Sequence, residues 1–150
     1  MKNNIKNYVT NIFLLSVIIV MSSSVSASGS CNDRPPAEDL VCNIQSKFVI
    51  CRMKVRLDLL KESPPEKTYA CIEEDKLKII PLYQSVKGIT RKNTETSKSL
   101  QDLYSYWLSS MDALKQIKNE RPVTYQYRLD KRERNLRLKS DAFLLKSKIN

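Results

Sequence analysis

The spacing of four cysteines, Cys31, Cys42, Cys51 and Cys71, restricts this chain more than any other feature of its sequence. There is no histidine and no Cys-x-x-Cys pair, and the spacing matches neither a zinc finger nor a zinc ribbon. An activated redox pair is equally poorly served, so structural disulfides are the expected use of the thiols. Helix geometry then selects among the three pairings. Leu40, Ile44, Phe48, Cys51, Val55 and Leu59 recur at steps of three and four, which predicts a helix from Ala37 to about Lys61. On that helix Cys42 and Cys51 are separated by about 13 Å of rise, and disulfide-bonded Cα atoms lie within roughly 7 Å. If the next helix returns antiparallel from a turn near Glu62, Cys51 comes level with Cys71. Cys51–Cys71 is therefore the expected staple. Cys31–Cys42 follows by elimination: Cys42 points away from the apolar stripe, where a lead-in segment through Arg34-Pro35-Pro36 can fold back on it.

The N-terminus implies the same oxidising setting. Lys2 and Lys6 precede an apolar run, Ile12 to Met21, and a small-residue stretch ends in Val25-Ser26-Ala27. This pattern predicts a signal peptide over residues 1–27, cleaved on export, and a periplasmic or secreted product. The run is half the length of about 20 residues that a spanning helix requires. Cys31 lies too far beyond it to suit a lipid-modified cysteine. Removing residues 1–27 takes two lysines with it and lowers the formal charge from +10 to +8.

Residues 28–150 suit a single helical domain. Only two glycines and 7% aromatic residues argue against a β-sandwich, and 41% hydrophobic content argues against disorder. The expected class is all-α: a small disulfide-stapled bundle of three to four helices, the first two forming an antiparallel hairpin. Val49, Met53, Leu57 and Leu60 add a second apolar stripe to the first helix, which places that helix centrally with neighbours on both sides.

In Ser63-Pro64-Pro65-Glu66, Ser63 has the position of a capping residue, Pro64 that of the first turn and Glu66 the capping-box spacing. The second helix should present Ile72, Ile79, Tyr83 and Val86, kink near Pro81 and stop at Gly88. Thr90 to Ser99 is polar and reads as a loop or a frayed start. Leu100, Leu103, Tyr104, Trp107, Leu108, Met111 and Leu114 predict a third amphipathic helix ending before Pro122. Val123 to Tyr127 alternates like a strand but has no partner strand, so it reads as a linker or a helix start. A basic fourth helix is expected from about Tyr127 to Lys146, with Leu129, Leu136, Phe143 and Leu144 inward.

Little in this chain suggests catalysis. Without histidine the commonest general base is missing, and Glu73, Glu74 and Asp75 are adjacent on a helix rather than paired. No catalytic residue, cofactor site or metal site is assigned. Charge is a better lead: from Arg121 onward nine Lys or Arg face three acidic residues. Tyrosine and arginine are enriched at binding hot spots. Tyr106, Tyr125, Tyr127 and Arg128, with Arg132, Arg134 and Arg137, are accordingly the candidate partner contacts. The expected function is an exported, non-enzymatic helical binding protein: an inhibitor, immunity factor or accessory protein acting by protein–protein contact. The alternatives are an envelope-associated protein docking on anionic lipid or polymer, or a component of a secretion or conjugation assembly. Nucleic acid is not an expected partner.

Overall fold

Proline fixes where three of the four helices begin. The computed structural model describes residues 31–148, and the expected signal peptide lies outside them. Within the described residues a short 3-10 turn, Cys31–Asp33, leads into α1 (Pro36–Leu60), α2 (Pro65–Thr90), α3 (Thr94–Asp112) and α4 (Pro122–Lys148). Pro36, Pro65 and Pro122 are each the first residue of their helix, where a missing N–H costs nothing. At α1 and α2 the preceding residue is also proline, with ψ of 146° at both Pro35 and Pro64. A residue before proline is pushed out of helical geometry. The second helix therefore starts one residue later than the capping-box reading placed it. Ser63 makes no cap with its side chain; its carbonyl instead accepts from Thr68 Oγ1 at 3.1 Å.

Sequence and structure differ at other boundaries too. Helix α2 does not stop at Gly88 but runs through Pro81 and Gly88 to Thr90. The left-handed conformation that makes glycine a stop is not used there, since Gly88 does not take a positive φ. The polar stretch after Thr90 is mostly helix. Asn93 caps α3 by accepting from the Thr96 N–H at 2.9 Å, leaving a connection of only three residues. Helix α3 ends at Asp112, well before Pro122, and α4 includes the alternating segment Val123 to Tyr127.

Pairs of contacting residues fix the arrangement. Cys51 joins Cys71 across α1 and α2, and Tyr83 stacks on Tyr104 across α2 and α3, with ring centroids 3.9 Å apart. Thr96 Oγ1 donates to the Lys146 carbonyl, and Tyr125 Oη donates to the Leu114 carbonyl, at opposite ends of the α3–α4 pair. Arg52 binds Asp130 and Glu133, and Lys148 binds Glu38, between α1 and α4. Early residues meet late ones in the α1–α2, α3–α4 and α1–α4 pairs, and a three-residue connection turns α3 back along α2, so the helices run up-down-up-down around a square. The first two form the expected antiparallel hairpin.

One core serves all four helices: Leu40, Ile44, Phe48, Ile72, Ile79, Leu100, Leu103, Trp107, Met111, Leu129, Leu136 and Phe143 are buried within it. The central placing of α1 is overturned. It occupies a corner between α2 and α4, and Met53, Leu57 and Leu60 of its second stripe are exposed. Both disulfides form as expected, Cys31–Cys42 and Cys51–Cys71, with Cα separations of 5.8 and 5.6 Å. Such pairs fit an oxidising compartment. Among the described residues no helix is long and apolar enough to cross a membrane.

Candidate interaction surfaces

The outer face of α1 carries an apolar stripe that the bundle leaves uncovered among the described residues. Ile50, Met53, Leu57 and Leu60 are 62, 60, 53 and 75% exposed and recur at steps of three, four and three. They share one side of about 15 Å of helix. Lys54, Arg56 and Lys61 flank the stripe, all exposed and none ion-paired among the described residues. Beneath it the chain is held firmly. The Cys51–Cys71 bond lies inside the bundle, and α1 ends in a Schellman turn: Ser63 N–H donates to Asp58 O, and Glu62 N–H to Leu59 O. Glu62 takes the left-handed position of that turn, with φ of 53°.

A different surface forms where α3 meets α4. The Tyr106 ring is half-buried there, with the Arg132 guanidinium and the Lys139 ammonium each 5.4 Å from its centroid. Attraction between cation and ring holds both side chains on the seam. Arg132 also donates to Ser109 Oγ at 2.9 Å. Further along, Lys98, Ser99, Asp102, Lys139, Ala142 and Lys146 line a groove of about 360 Å³.

The candidate contacts named from sequence do not form one patch. Tyr106 and Arg132 come together at the seam. Tyr127 and Arg134 are exposed on the outer face of α4, and Arg137 lies on its flank towards α1, paired with Glu133 at 2.6 Å. Tyr125 is not a surface residue. It is buried, and its hydroxyl donates to the Leu114 carbonyl at 2.6 Å. Burial disfavours the phenolate and pushes its pKa up to about 12.

Arg128 also has a structural task. Its guanidinium grips both carboxylate oxygens of Glu120 and donates to the carbonyls of Ala113 and Lys115. It thereby ties α4 to the connection over residues 113–121. The same grip holds the Glu120 carboxyl below the usual carboxylate range. Arg52 does likewise to Asp130. These partnerships neutralise part of the C-terminal charge.

Sequence reading missed the contribution of α3. Lys98 and Ser99 lie in a stretch read as polar loop, so their helical alignment with Asp102 and Tyr106 was invisible. Of the α1 stripe, Met53, Leu57 and Leu60 were seen but assigned to the interior with Val49, and Ile50 was not singled out. Comparison with protein-family models, curated proteins and solved structures finds no match to this chain.

Proposed function

We propose that this protein is an exported, non-enzymatic binding protein, an inhibitor, immunity factor or accessory protein that works by contact with another protein. The observation that supports this reading is the apolar stripe Ile50-Met53-Leu57-Leu60 on a disulfide-locked helix. A contiguous exposed apolar surface is the usual mark of an interaction site. One that is rigid before binding loses little conformational entropy on docking. Its basic borders, Lys54, Arg56 and Lys61, fit a partner that presents an apolar ridge with acidic flanks. The signal-like N-terminus and the two disulfides support a periplasmic or secreted site of action.

The test is capture from envelope and secreted fractions by the oxidised protein, beside the variant Met53→Asp/Leu57→Asp. Both positions are exposed, so the variant should fold, which circular dichroism checks. The expected result is a protein retained by the wild type and lost by the variant. Capture that is identical for both, or no retained protein, overturns the reading. A second reading, docking on an anionic envelope polymer or lipid, draws support from the cationic α3–α4 seam.

A further inference from the structure

Resting on the first reading above, we infer that the partner covers the outer face of α1 with an amphipathic, acidic-flanked helix packed as in a coiled coil.

Spacing comes first. Ile50, Met53, Leu57 and Leu60 are exposed and follow one another at steps of three, four and three residues. That is the a and d order of a heptad, and at about 100° per residue all four point within roughly 80° of one another. A stripe this narrow suits the seam of a helix pair. A helix lying in a bilayer surface draws on a larger apolar face with aromatic residues, and this stripe has none.

Length separates a helical partner from an extended one. The stripe covers about 15 Å of helix rise. A second helix repeats its own a and d side chains at the same interval, so the knobs of each meet the holes of the other. Side chains on one face of a strand recur about every 6.6 Å, so four of them cover roughly 20 Å and fall out of step. The seam also has defined ends. Asn43 and Ser46, the preceding a and d positions, are polar and bond within α1 to Asp39 and the Cys42 carbonyl. Beyond Leu60 the chain turns at Glu62.

Charge then specifies what the partner helix carries. The e and g positions beside a coiled-coil seam set partner choice. Here they are Val49, Lys54, Arg56 and Lys61. Val49 is half-buried, and the three cations are exposed with no ion pair among the described residues. Lys47, at the preceding e position, is already held by Asp75 at 3.0 Å. A second copy of this chain is a poor occupant. In a parallel pair Arg56 would face Lys61 of the other copy, and in an antiparallel pair Lys54 and Arg56 would each face their own counterpart. Like charges set opposite one another exclude that pairing, whereas Glu or Asp at the partner's e and g positions satisfies all three cations.

The probe is a hydrocarbon-stapled peptide of about three heptads, with Leu at a and d and Glu at e and g. Stapling removes the folding cost of a short free helix. Binding to the oxidised protein is read by fluorescence anisotropy at low salt. Wild type should bind, and Met53→Asp/Leu57→Asp should not. Lys54→Glu/Arg56→Glu/Lys61→Glu should bind at least about tenfold more weakly, and should gain affinity for the same peptide carrying Lys at e and g. Arg91→Glu/Lys92→Glu/Lys98→Glu makes an equal charge change at exposed positions where α2 turns into α3, at the other end of the bundle. It should weaken binding less than about threefold, because charges beyond a Debye length are screened. Five outcomes overturn the inference: no binding of the acidic helix, equal affinity for the acidic and basic helices, equal losses in the two charge variants, a dimer of the oxidised protein that Met53→Asp disrupts, or sedimentation with phosphatidylglycerol vesicles that Met53→Asp/Leu57→Asp abolishes. Capture from envelope and secreted fractions separates this failure from that of the broader reading. A protein captured through Met53 and Leu57, with no binding of the acidic helix, would leave the contact surface standing and remove only the helical partner. Loss of capture would remove both. The substituted positions are exposed, and circular dichroism checks that each variant folds.

Discussion

The α1–α2 hairpin turns over residues 61–64 and is closed by a covalent bond, whereas the α3–α4 hairpin turns over residues 113–121 and is closed by hydrogen bonds. The first presents apolar side chains to solvent and the second presents cations. Each surface is matched to its support. An apolar stripe gains most when its backbone is already fixed, because the hydrophobic gain is not spent on ordering the helix. A cationic seam tolerates a polar framework, since its own side chains are placed by hydrogen bonds and cation–ring contacts. Two hairpins of similar length thus present opposite chemistry on one core.

The largest difference between the two hairpins is expected at the staple. Cys51→Ser/Cys71→Ser should destabilise the protein by roughly 3 kcal/mol, the value for a loop of this size, measured by urea unfolding. If the staple is what keeps the stripe ordered, amide exchange should accelerate first in α1 and α2 and last in α3 and α4. Equal acceleration everywhere would show that the hairpins are not separately supported.

Tyr125→Phe strikes the second hairpin. It leaves the Leu114 carbonyl without its partner in a buried site and should cost about 1–3 kcal/mol. In the wild type the phenol should stay un-ionised at pH 11 when followed by ultraviolet absorption. Its pKa is raised by folding, so its contribution is present below the unfolded value of about 10 and is lost as pH rises through about 12. Ionisation at an ordinary pH would place Tyr125 in solvent.

Gly88→Ala sharpens the account of α2. A methyl group there meets nothing within 4 Å, and the position is helical. The substitution should stabilise by about 0.5–1 kcal/mol; a loss would mean that the helix stops where the sequence suggested.

The smallest effect is expected in acid. Folding lowers the pKa of Glu120 and of Asp130, so their contributions are complete above the unfolded values near about 4. They fade as pH falls through the lower folded values. Glu120→Gln should flatten the acid limb of the urea midpoint against pH, and an unchanged limb would remove Glu120 from the clamp.

Much of this architecture is legible in the sequence because helix rise and cysteine spacing are both rigid quantities. The Cys51–Cys71 register, the turn at Glu62 and the inward face of α3 follow from them. What escapes is set by tertiary contact. Nothing local reveals that Tyr125 Oη meets the Leu114 carbonyl or that Arg128 meets Glu120 across the α3–α4 connection. Pro122 reads as a terminator of α3 when it starts α4, because proline suits both places. The α1 stripe is the instructive case. Periodicity finds the apolar residues but cannot say whether a neighbour within the same chain covers them.

Under the proposed function a protein partner covers the outer face of α1. Photo-crosslinking tests it most directly, with a benzophenone amino acid placed at Leu57 in one sample and at Tyr127 in another. These positions are 53 and 63% exposed, so reactivity alone does not favour the first. The expected result is one discrete crosslinked protein from Leu57, absent from Leu57 when Met53→Asp is added, and none from Tyr127. A discrete product from Tyr127 with none from Leu57 would contradict it.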